Sequence, residues 1–143
     1  VRLSARALDA IRAEGERAYP NEGCGALLGP AEGDVREAVA LPNVEKDKPR
    51  VRFTVSPQDY LSMEDEADAR GLKLLGFWHS HPDHPARPSE TDRSFAWEGL
   101  LTLVLAVENR VPAALTAWDV PGPEQPFRER TLLVEERPAM SQV

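Results

Sequence analysis

The chain has 143 residues, 41% hydrophobic and 29% charged, a composition that belongs to a globular protein with room for one core and not to a disordered one. Its 24 acidic residues against 17 basic ones leave a formal net charge of −7 with no basic stripe, which argues against a nucleic-acid partner. The lone Cys24 excludes an intramolecular disulfide and fits a reducing, cytoplasmic setting. No apolar run approaches the roughly 20 residues of a membrane-spanning helix, and no basic-then-apolar leader pattern opens the chain.

Residues 4–18 are predicted helical, with Ser4 as N-cap, Leu8, Ile11 and Ala18 on the apolar stripe, and Gly15 as a weak point. Tyr19-Pro20-Asn21 breaks this helix. Cys24 to Leu28 reads as a short buried strand closed by Gly29-Pro30. Further strands are predicted over 35–41 and 51–55, the second from the alternation of Val51, Phe53 and Val55. Ser56-Pro57 starts a helix to about Arg70, with proline at its first position, and Gly71 ends it. The acidic stretch Glu64 to Asp68 on that helix reads as a solvated face.

Leu72 to Trp78 is an apolar run of the right length for a central strand. A loop punctuated by Pro82, Pro85 and Pro88 leads to a helix from Ser89 to about Glu98, then to strands near 101–107, 112–119 and 127–134. The strands neighbour one another more often than they alternate with helices, which predicts a mixed, sheet-centred α/β fold. No repeat or linker divides the chain, so residues 1–143 read as one domain.

The chemistry concentrates in His79-Ser80-His81-Pro82, followed by Ser89 and Asp92. Two histidines two apart on a strand point to the same face, so both imidazoles can converge on one metal ion, with Pro82 turning the chain away behind them. Asp92, in the first turn of the next helix, can swing back as a third ligand. Two histidines and a carboxylate leave a fourth position open, the catalytic pattern for zinc. Ser89-x-x-Asp92 is equally the pattern of a helix-capping pair, and the two roles are compatible. Trp78 and Ser80 face away from the histidines, Trp78 into the core and Ser80 towards backbone groups. Asp83 and His84 read as exposed loop residues, and Cys24 as a small buried apolar one.

His-Ser-His-Pro, six residues, then Ser-x-x-Asp resembles the signature of the JAMM (MPN-plus) metallopeptidases. The upstream segment Tyr19-Pro20-Asn21-Glu22-Gly23-Cys24-Gly25-Ala26-Leu27-Leu28-Gly29 resembles the start of their small prokaryotic members. The resemblance covers about residues 1–120. The zinc-deaminase signature is excluded, because it needs a Cys pair that one cysteine cannot supply. The resemblance implies a cytidine-deaminase-like fold, a mostly antiparallel sheet flanked by helices. It also implies one zinc ion on His79, His81 and Asp92, Glu22 as general base and Ser89 as oxyanion donor. By residue chemistry alone, Glu22 reads as a surface glutamate after a turn.

The family likeness further implies hydrolysis of a peptide or isopeptide bond after the Gly-Gly tail of a ubiquitin-like or sulfur-carrier protein of β-grasp fold. The segment 42–57, rich in charge and proline, is a candidate flap over that tail. Two other classes stand beside this one: a non-catalytic scaffold of the same fold, and a zinc hydrolase of small amides. An exposed apolar edge would support a homodimer.

Overall fold

The computed structural model describes residues 1–95, 97–122 and 125–135. The chain opens with a two-residue strand, β1 (Arg2–Leu3), which the sequence pattern does not signal, and enters helix α1 (Ala5–Ala18). Ser4 caps α1 as expected: its oxygen accepts the Ala7 N–H at 3.1 Å, while its O–H donates to the Arg36 carbonyl.

The buried stripe of α1 is Ala7, Ile11 and Gly15, while Leu8 and Ala18 are only half-buried. Gly15 is therefore no weak point. A Cβ there would stand 2.7 Å from Leu105 Cδ2 and 3.3 Å from Val107 Cγ2, so glycine is what lets the helix backbone settle on the sheet.

Strands β2 (Cys24–Gly29), β3 (Asp34–Val35) and β4 (Glu37–Leu41) precede helix α2 (Pro57–Ala69). Strand β5 (Lys73–Pro82), the short helix α3 (Glu90–Phe95), β6 (Leu101–Glu108), β7 (Val111–Asp119), β8 (Arg128–Arg130) and β9 (Leu133–Val134) follow. Among the described residues the main sheet has six strands in the order β4-β2-β5-β6-β7-β8. Only β5–β6 is parallel, so the sheet is mixed and mostly antiparallel, as expected. A small parallel sheet, β3-β1-β9, flanks it.

One face of the main sheet packs under α1 through Leu27, Trp78, Leu103 and Leu105 against Leu3 and Ile11. The opposite face carries Cys24, Ala26 and Phe77, covered by Val55 and by Tyr60 and Met63 of α2. Phe77 stacks on Trp97 with ring centroids 4.2 Å apart. No helix among the described residues is long and apolar enough to cross a membrane.

Besides β1, the elements depart from the sequence expectation in five places. The central strand runs on through Pro82, which pairs with Val107 and does not turn the chain away behind the histidines. The strand expected at 35–41 splits at Arg36, because β3 pairs with β1 while β4 pairs with β2. The strand expected at 127–134 splits likewise, β8 joining β7 and β9 joining β1. Helix α3 ends at Phe95 and not near Glu98; residue 96 lies outside the described residues.

Residues 51–55 form no strand. The Asn43 side chain takes the Arg52 carbonyl and the Thr54 N–H, two groups that a ladder would otherwise need. The alternation there does not follow burial, since Val55 is buried while Val51 is exposed.

Because α1 touches the sheet at Gly15, Gly15→Leu should lower unfolding free energy by about 1–3 kcal/mol, measured by urea denaturation. Gly15→Ala should cost much less, since its helix propensity gain of up to about 1 kcal/mol offsets the tight contact with a flexible leucine tip.

Candidate metal centre

Strand β5 delivers the two histidines. His79 and His81 share the face of Phe77, while Trp78 and Ser80 lie on the other, as alternation requires. Trp78 is buried in the core under α1. Ser80 satisfies backbone: its Oγ accepts the Gly23 N–H at 2.8 Å, and its N–H donates to the Gly23 carbonyl at 2.9 Å.

His79 Nε2 and His81 Nε2 are 3.1 Å apart. Asp92 Oδ2 stands 3.1 Å from the first and 3.0 Å from the second. His79, His81 and Asp92 are all buried, and their ligand atoms form a triangle able to hold a metal ion. A tetrahedral zinc ion with bonds of roughly 2.0–2.1 Å separates its ligand atoms by roughly 3.3 Å, so the triangle need open only a few tenths of an ångström. The His81 Nδ1 lies 2.8 Å from the Pro85 carbonyl; donation there leaves Nε2 with a free lone pair towards the centre. His79 Nδ1 is buried without a hydrogen-bond partner, and the ring lies under Phe53 with centroids 4.7 Å apart.

Asp92 arrives on the first turn of α3 in a reciprocal cap. Its N–H donates to Ser89 Oγ at 3.0 Å, and the Ser89 N–H donates to Asp92 Oδ2 at 2.8 Å. The oxygen that accepts the Ser89 N–H is thus the same one that faces the two imidazoles. Burial alone would raise the Asp92 carboxyl; bonds to His79 and His81 and the Ser89 N–H outweigh it and hold the group well below the usual carboxylate range. Complete burial pushes His79 down, towards the neutral form that binds metal. For His81, burial acts the same way, but Asp92 and the Pro85 carbonyl outweigh it and the net shift is upward.

Glu22 is not a surface residue. It is 3% exposed, and its Oε1 has no hydrogen-bond partner. Strand β2 pairs antiparallel with β5 in a register that sets Cys24 opposite His79. Carried back two residues, that register brings Glu22 level with His81, on the histidine face. Burial first, and the charge of Asp92 second, push the Glu22 carboxyl up to about 9. A cation held by the three ligands would oppose both effects.

Cys24 is buried among Ala26 and Phe77, and burial pushes its thiol up to about 12. Asp83 is exposed, and it accepts the Tyr19 O–H at 2.5 Å and the Asn109 N–H at 2.8 Å. His84 is also exposed, and neither residue joins the metal-facing group among the described residues.

A pocket of about 170 Å³ opens beside His79 and Asp92. Phe53, Val55, Phe77 and Trp97 form its apolar wall, and Arg52 and Thr54 contribute polar groups. Phe53 lies within a predicted strand, so its position over a ligand is invisible in the sequence. The only hint is an aromatic in a loop-like, proline-flanked segment.

With this geometry in hand, kinship can be judged. The model of prokaryotic homologs of the JAB domain matches residues 4–121. The chain belongs to that prokaryotic JAB-domain family. This member is 35% identical over 118 residues to a desampylase of Haloferax volcanii, covering 81% of this chain and 80% of that one. It is 36% identical over 85 residues to a probable TtuB-protein conjugate cleaving protease of Thermus thermophilus, covering 59% of this chain and 55% of the other. A JAB1/MPN domain protein from Archaeoglobus fulgidus shares the fold with a TM-score of 0.61 at 22% identity, over 95% of this chain and 100% of that one. The JAB1/MPN architecture expected from the sequence is thus the observed one.

Two outcomes follow for this centre. With a chelator present, the folded Glu22 carboxyl stays protonated to about 9, whereas an unfolded one ionises near 4.5. Unfolding releases a proton between those values, so stability is lost as the pH rises through that window. Glu22→Gln should remove this loss: the metal-free variant should melt several degrees above wild type at pH 8, with the gap closing towards pH 4.5. Melting curves across pH in EDTA measure it, and equal slopes for both proteins would contradict the burial of Glu22. Separately, a thiol reagent such as DTNB should modify native Cys24 at least tenfold more slowly than the urea-unfolded chain.

Proposed function

We propose that this chain is a zinc-dependent isopeptidase or peptidase that cuts after the Gly-Gly tail of a ubiquitin-like or sulfur-carrier protein. One observation carries the reading: three buried ligand atoms lie 3.0–3.1 Å apart, and the strand register brings level with them the buried Glu22, whose Oε1 has no hydrogen-bond partner. The named activities of the Haloferax and Thermus relatives, a desampylase and a conjugate cleaving protease, supply the substrate class.

His79, His81 and Asp92 are the residues that would hold zinc. When bound, zinc supplies a Lewis acid and lowers the pKa of a coordinated water to roughly 7. Glu22 takes the proton of the attacking water and returns it to the leaving amine, which an amide needs because its nitrogen is a poor leaving group. Its enclosed setting keeps that proton from bulk solvent. Ser89, whose Oγ already receives the Asp92 N–H, is left with its own O–H to donate to the developing oxyanion. The pocket walled by Phe53, Phe77 and Trp97 gives the chain beside the scissile bond an apolar seat.

The test couples zinc content to cleavage of a β-grasp carrier fused after its Gly-Gly end, in wild type and Glu22→Ala. Wild type should carry one zinc per chain and cut the fusion. Glu22→Ala should keep the zinc and lose about 10²–10⁴-fold in rate. A wild type without stoichiometric metal would overturn the ligand assignment, and one that holds zinc yet cuts no carrier would leave a scaffold or a small-amide hydrolase.

A further inference from the structure

Glu22 Oε1 has no hydrogen bond to aim it, which leaves more of the aim to the backbone that carries the side chain. Both backbone polar groups of Glu22 end on the loop between β4 and α2. Its N–H donates to the Pro49 carbonyl at 2.7 Å, and its carbonyl accepts the Asn43 Nδ2–H at 3.0 Å. That loop contains neither helix nor strand from 43 to 55, so it has no ladder of its own to keep it in place.

Within that loop the Val44 N–H donates to the Thr54 carbonyl at 2.9 Å, and Asn43 adds the tie that reaches out to Glu22. Beyond Glu22, its Nδ2 donates to the Arg52 carbonyl at 3.1 Å, while its Oδ1 accepts the N–H groups of Glu45 at 3.1 Å and Thr54 at 3.0 Å. Two carbonyls on one side and two N–H groups on the other admit only one orientation of the amide. The segment it pins, Arg52 to Thr54, walls the pocket and carries Phe53 over the His79 ring.

We propose that Asn43 is a positioning residue for the hydrolysis, locking the 43–54 loop onto the backbone of Glu22 and so setting where the general base stands against the metal-facing triad. The inference rests on the reading of Glu22 as that base. Reacting groups misplaced by about 1 Å lose on the order of a hundredfold in rate, so a backbone hold on the base acts on turnover. Asn43 makes no bond to the three ligand atoms, and through Arg52 and Thr54 it also bears on the pocket wall.

Two substitutions separate the sides of the amide. Asn43→Ala removes all its bonds. Asn43→Asp keeps the acceptor for Glu45 and Thr54 but loses the donors to Glu22 and Arg52. Both should lower kcat about tenfold to a hundredfold on the carrier fusion with zinc affinity unchanged, and KM should rise by less than kcat falls.

Amide hydrogen exchange on the metal-free protein gives a readout independent of turnover. The Glu22 amide should lose at least about tenfold in protection in both variants, while Ala26 and Leu27 of β2 keep theirs. The proposal is overturned if Asn43→Asp retains kcat within twofold or leaves the Glu22 amide protected. It is equally overturned if zinc affinity falls in step with kcat, which marks a general loosening. Should Asn43→Ala lose strand protection, Asn43→Asp decides by the same readouts. If that variant also unfolds, Asn43 holds the fold and not the base, and the proposal falls. A wild type that cuts nothing refutes the proposed function alone; exchange at Glu22 still tests the hold of Asn43.

Discussion

The antiparallel pairing of β2 with β5 is the constraint on which the site depends. Cys24 faces His79 across that pair, and the double hydrogen bond between Gly23 and Ser80 extends it just past the strand end. Side chains alternate with a period of two, so a slip of one residue would send Glu22 to the α1 side and leave the histidines without it. The core guards against such a slip. Leu27 and Trp78 are packed under α1, and Ala26 and Phe77 under α2, so any shift would exchange these buried sets.

The sheet divides its labour by face. Under α1 the interior is mostly aliphatic, with Trp78 and Ser80 among it, and the helix comes close enough there to require Gly15. The other face begins apolar at Phe77 and turns polar at His79 and His81 as β5 approaches its end. Two buried carboxyls share this end, and their surroundings drive them in opposite directions. Asp92 lies 3.0–3.1 Å from two imidazole nitrogens, accepts a backbone N–H and is held ionised. Glu22 has no donor at Oε1 and lies in the field of a neighbouring negative charge, so without a cation burial and that charge favour its protonated form, and a cation beside it would oppose both.

The loop from 43 to 55 shows how irregular backbone becomes part of a site. A loop against a buried centre must satisfy its own polar groups, and here a single asparagine amide does much of that work. The segment read from sequence as a flap is anchored at Asn43, at Pro49 and through Phe53. Its alternation of Val51, Phe53 and Val55 mimics a strand, yet Val51 is exposed and Val55 buried, so the pattern tracks neither a ladder nor a single packed side.

The helices, the central strand and the metal-facing residues were legible in the chain because each depends on local rules. Capping by Ser4 and Ser56, the apolar run before His79, and the two-residue spacing of the histidines all act within a few residues. The family signature added Glu22 and Ser89 to that set. What the sequence alone could not decide was set by partners far along the chain. The strands expected at 35–41 and 127–134 each divide between two sheets, since their halves find different neighbours. Gly15 changes from a helix defect to a contact point only when Leu105 lies beneath it. Glu22 becomes a buried carboxyl only when the register of β2 on β5 carries it beside His81, and Phe53 and Asn43 gain their places only once the loop closes over that pair. Local propensity is written in neighbouring residues; register and closure are settled by what packs against them.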